Sequence, residues 1–85
     1  MALNSIEHEW QRFSKMIFRG MNPSPTQVFE MKKAFFAGAW VIVNGAKEVG
    51  EPHVSEEEGI EYFKNLEQEC LKFHKKLMQE YVEGN

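Results

Sequence analysis

Apolar positions recur along this chain with the period of a helix, in three separate segments. Ile6, Trp10, Phe13 and Ile17 stand four, three and four residues apart, which lays one stripe along a helix. Asn4 followed by Glu7 reads as a capping box, so the first helix should begin near Asn4 or Ser5, and Gly20 should end it just after Arg19. Ser24-Pro25 with Gln27 three residues on is the strongest start signal in the chain: a cap, a proline at the first helical position and a reciprocal side chain. That second helix should run to about residues 44–47, where Asn44-Gly45 offers a left-handed end. Ser55, followed by Glu56, Glu57 and Glu58, opens a third helix whose stripe is Ile60, Phe63, Leu66, Cys70, Phe73, Leu77 and Tyr81, reaching about Val82 before Gly84.

These segments predict an all-α fold in a single domain, residues 1–85, with helices at about 5–19, 25–46 and 56–82. The expected arrangement is a three-helix bundle, a short N-terminal helix plus a long antiparallel helical hairpin. A rival exists at Trp40-Val41-Ile42-Val43-Asn44-Gly45, which has strand-like composition and a hairpin dipeptide. A lone strand cannot satisfy its backbone, and no second run is present to pair with it.

The second helix carries more apolar surface than one core requires. Val28, Met31, Phe35 and Ile42 form one line, and Phe29, Phe36, Trp40 and Val43 form another. Ala34 and Gly38, one turn apart, open a strip where a second backbone could approach. Two readings follow. The helix is the centre of the bundle, with Gly38 letting the first helix cross it, or Phe29, Phe36, Gly38 and Trp40 form the interface of a homo-oligomer. With 85 residues the chain has little area to bury, and association is a common remedy.

Composition sharpens this picture at three points. All thirteen acids are glutamate, a good helix former. The single cysteine, Cys70, rules out an intrachain disulfide and fits a reducing compartment. No apolar run approaches the roughly 18 residues that span a bilayer, so a soluble, cytoplasmic protein with no membrane partner is expected. Charge is split along the chain: residues 1–47 carry six bases and three acids, residues 48–85 four lysines and ten acids.

Catalytic chemistry finds little to work with. His8, His53 and His74 lie in separate segments with no metal-ligand spacing, so neither a metal nor a cofactor is expected. Ser14, Ser24 and Ser55 are accounted for by helix position or capping, and Cys70 falls on an apolar stripe. The expectation is a non-catalytic binding protein. Trp10, Arg12, Phe13, Lys15 and Arg19 put aromatics and cations together on the first helix, and Lys32 and Lys33 add to them from the second, near the free N–H groups of the Ser24 helix start. Stacking rings and cations hold bases and phosphates. The plainer reading makes Trp10, Phe13 and Phe18 core residues with the cations at its edge. The net negative charge argues against duplex nucleic acid.

The segment Gln27-Val28-Phe29-Glu30-Met31-Lys32-Lys33-Ala34-Phe35-Phe36-Ala37-Gly38-Ala39, preceded by Trp10 and Phe13, resembles a pattern in small uncharacterised bacteriophage proteins. The resemblance implies a phage accessory protein acting in the bacterial cytoplasm, and accessory proteins of this kind often counter host defence. Two routes are open on that analogy. One is a homo-oligomer that sequesters a nucleotide-like ligand between subunits. The other is a helical inhibitor or decoy that occupies a host protein.

Overall fold

The computed structural model describes residues 3–83 and consists of three α-helices: α1 (Ile6–Ile17), α2 (Pro25–Val49) and α3 (Glu56–Glu83). No strand occurs among the described residues, and Trp40–Val43 is helical. Gly84 and the side chain of Tyr81 lie outside what the structure describes.

Local chemistry explains each boundary. The start of α1 departs from the Asn4–Glu7 expectation. Ser5 is the cap, its Oγ accepting the His8 N–H at 3.0 Å, while the Asn4 amide donates instead to Glu9. Serine and asparagine are equally good caps, and the extended backbone at Ser5 just before Ile6 puts the serine in that position. Both other capping boxes form reciprocally. Ser24 Oγ accepts the Gln27 N–H at 3.1 Å while Gln27 Oε1 accepts the Ser24 N–H at 2.8 Å. Ser55 and Glu58 repeat the exchange, each bond at 3.1 Å. After α1 the chain turns through Gly20, at φ +73°, with the Met21 N–H donating to the Phe18 carbonyl; a residue with a side chain would be strained there. Asn44-Gly45 does not end α2. The helix passes through it to Val49, and Gly20 is the one glycine with positive φ among the described residues.

The chain falls into two compact units, residues 1–46 and 47–85. In the first, α1 lies against the face of α2 that carries Val28, Lys32, Phe35, Phe36 and Ala39, all half-buried and spaced for one side of a helix. Trp10 sits at the centre. At 3% exposure it is the one buried hydrophobic side chain among the described residues. Gly38 is not where α1 crosses: a Cβ added there would meet nothing within 4 Å.

In the second unit the close approach is at Gly59. This buried glycine lies on the first turn of α3, and a Cβ added to it would come within 2.8 Å of Val49 Cγ1. Between the two, the chain descends through turns in which Gly50, Glu51 and Val54 donate to the carbonyls of Lys47, Glu48 and Glu51.

The two glycines should therefore respond oppositely to alanine. In dilute urea-unfolding experiments Gly38→Ala should stabilise by about 0.8–1 kcal/mol, the helix-propensity gain with nothing opposing it. Gly59→Ala should destabilise despite the same gain, and Val49→Ala in the same chain should relieve the loss. Equal stabilisation at both positions would contradict the Gly59–Val49 contact.

Candidate functional site

The first unit is organised by three aromatic rings. Trp10 lies 5.6 Å from Phe35 and 6.2 Å from Phe13, ring centroid to ring centroid. Phe13 stacks on Phe35 at 5.2 Å with 30° between the planes. Offset aromatic pairs of this kind add about 0.5–1.5 kcal/mol each beyond the area they bury. Trp10 and Phe13 are thus the hinge pins of α1 on α2. Trp10 is thereby buried and its ring is taken up within the chain, while Phe13 is half-buried, stacked on Phe35.

Exposed rings stand beside this cluster. Phe29, Lys32, Lys33 and Phe36 on α2, with Glu7 from α1, line an open cleft of about 320 Å3. Phe29 is 63% exposed. The Lys32 ammonium stands 5.8 Å from the centre of the Phe36 ring, and Lys33 the same distance from Phe29. Both are within cation–π range. A second open hollow, about 290 Å3, lies between Glu9, Arg12, Phe13, Met16 and Phe35.

Three of the five expected cations meet carboxylates. Lys32 Nζ bridges from α2 to Glu7 at 3.1 Å, Lys33 pairs with Glu30 at 3.0 Å, and Arg12 reaches Glu9 at 3.4 Å. Hydrogen bonds from Gln11 and then Lys32 hold the Glu7 carboxyl below its ordinary pKa. Lys15 and Arg19 are exposed and form no ion pair within 4.0 Å among the described residues. The Ser24 helix start is less open to an anion than its sequence suggests. The Gln27 N–H is taken by Ser24 Oγ, the Val28 N–H by the Ser24 carbonyl, and Pro25 has none.

Of the interface residues expected on α2, Phe29 and Trp40 are exposed, Gly38 lies in open space and Phe36 is half-buried with its ring 6.3 Å from Phe35. Two of these, Phe29 and Phe36, prove to line the cleft with Lys32 and Lys33. The i, i+3 and i, i+4 spacing of these four residues is the signal that could have grouped them. Cys70 is exposed instead of lying in a core. No three His, Cys, Asp or Glu side chains come together as a metal site among the described residues, and no helix there is long and apolar enough to cross a membrane.

Comparison with protein-family models, with curated proteins and with solved structures finds no match to this chain.

Core and surface aromatics should separate cleanly by mutation. Trp10→Ala should cost about 3–5 kcal/mol and release α1, seen as lost helix signal in circular dichroism. Phe29→Ala should leave stability within about 0.5 kcal/mol. Acidification should also weaken the fold. The depressed Glu7 and Glu58 carboxyls, the latter held low by its bonds to Ser55, stabilise the native chain above the ordinary carboxylate pKa, and that contribution is lost as pH falls through their folded values. Glu58→Gln, which keeps the box without the charge, should flatten part of this dependence in melts between pH 6 and pH 3.

Proposed function

We propose that this chain is a non-catalytic binding protein that holds a small anionic, nucleotide-like ligand between copies of itself. The observation that carries the reading is the α2 cleft, where two lysines and two phenylalanines share an open surface. A base could stack on exposed Phe29 while phosphate oxygens meet Lys32 and Lys33. In this reading Phe29 is the stacking ring, with half-buried Phe36 beside it, in place of Trp10, which is buried against Phe35. Arg12, Lys15 and Arg19 supply further positive charge along α1.

Carboxylates already beside Lys32 and Lys33 do not defeat this. Both pairs are solvent-exposed, and such pairs contribute only about 0–1 kcal/mol. A phosphate shielded from water makes charge-assisted bonds of about 1.5–3 kcal/mol each, enough to draw the lysines away. Shielding requires a second wall, because the cleft is open. A second copy could provide it, docked on the apolar side of α2 that runs from Phe29 through Phe36 to Trp40, positions seven and four residues apart. The resemblance to phage accessory proteins supplies a setting, the host bacterial cytoplasm, in which sequestering a nucleotide signal would counter defence.

One observation favours a second reading. Trp40, Val41, Ile42 and Val43 are consecutive and all exposed, at 60%, 64%, 42% and 38%. Such a belt also suits a helical inhibitor or decoy that covers a host protein.

A melting screen distinguishes the two. A cyclic or adenine-containing nucleotide should raise the melting temperature and be recovered intact after heat denaturation. Lys32→Ala and Lys33→Ala should each weaken binding about tenfold or more, by the loss of one charge-assisted contact, and Arg12→Ala, outside the cleft, should weaken it less. If no nucleotide shifts the melt while a host protein co-purifies through Trp40–Val43, the decoy reading replaces the first.

A further inference from the structure

The third helix carries a pattern that the cleft does not use. Phe63, Leu66, Cys70, Phe73 and Leu77 follow one another at spacings of three, four, three and four. That is the a/d repeat of a coiled coil, sustained over two heptads with Phe63, Cys70 and Leu77 at a and Leu66 and Phe73 at d. Phe63, Cys70, Phe73 and Leu77 are exposed, Phe73 at 63%, and Leu66 is half-buried.

Charge along the same helix is graded. Residues 56–69 hold six glutamates and one lysine, residues 70–79 hold three lysines and no acid, and Glu80 and Glu83 close the helix. A parallel pair would lay the acidic stretch beside the acidic stretch and leave Lys76 without a carboxylate at its g position. An antiparallel pair sets the basic end of one helix on the acidic end of the other. Alignment of a with d across an antiparallel seam allows only registers seven residues apart in the sum of paired positions. One of them places Leu66 against Leu77 and Cys70 against Phe73, each twice by symmetry. In that register the flanking g positions bring Glu69 to Lys76 of the second copy, and the e positions bring Glu67 to His74. The neighbouring register, with Leu66 against Cys70, instead sets Glu69 against Glu69 and Glu67 against Glu67.

We propose that α3 is a self-association seam: two copies of this chain pair antiparallel through residues 66–77, with Glu69 of each opposite Lys76 of the other. The inference rests on α3 alone and not on the ligand reading. The seam is isologous, the same patch on both copies. An additional contact through α2 would extend the assembly beyond a dimer, because the two surfaces lie on different helices.

Sedimentation equilibrium of the full chain tests it. Glu69→Lys or Lys76→Glu alone should weaken self-association about tenfold, since each turns two attractions into repulsions. Both substitutions in one chain restore the pairing and should restore the affinity. Restoration is the decisive readout, because general damage to the helix would not be repaired by a second charge change. Phe73→Cys, oxidised beside the native Cys70, should yield a covalent dimer on a non-reducing gel. Leu66→Cys should do so poorly, since it would crosslink the other register. A chain that stays monomeric throughout, or a double reversal no better than the singles, would overturn the proposal. If instead Trp40→Ala abolishes association while both charge reversals leave it intact, the seam fails and contact through α2 survives. Nucleotide binding that persists in dissociated Glu69→Lys chains would separate this interface from the ligand site.

Discussion

A single indole positions the first helix. Trp10, 3% exposed, closes on Phe35 and Phe13, and no other hydrophobic side chain among the described residues is buried as deeply. That contact sets the register of α1 on α2. The register brings Glu7 to Lys32 across 25 residues of sequence, so that α1 adds one carboxylate to the surface that Phe29, Lys32, Lys33 and Phe36 share by their spacing on α2.

A cluster of three rings is a slender foundation. Most large apolar side chains, among them Phe29, Trp40, Val41, Phe63, Phe73 and Met78, remain exposed. Exposed apolar side chains scattered singly are ordinary, but a continuous belt on α2 and a heptad stripe on α3 are not. Helices of 25 and 28 residues draw most of their stability from packing on their apolar faces, more than from propensity. The association proposed above would therefore be coupled to folding.

The helices were legible because capping is local. Ser24–Gln27 and Ser55–Glu58 each close within four residues, so spacing alone predicts them. Asn4 against Ser5 was ambiguous for the same reason: both are good caps and only the backbone path decides between them. Asn44-Gly45 misleads as a helix end, since glycine permits a left-handed residue without requiring one. The site was less legible. Which aromatics face inward depends on the crossing of α1 over α2, a tertiary fact that assigns Trp10 to the core and Phe29 to the cleft. Likewise Gly38 and Gly59 are both glycines inside helices, and only packing shows that Val49 crowds one while the other stands in open space.

The proposed coupling between folding and association has one direct measurement. The midpoint of thermal unfolding, followed by circular dichroism over a hundredfold range of protein concentration, should rise with concentration as mass action favours the associated native state. A midpoint that does not move, with a monomer mass across the same range, would contradict it and leave the aromatic cluster around Trp10 to hold the fold alone.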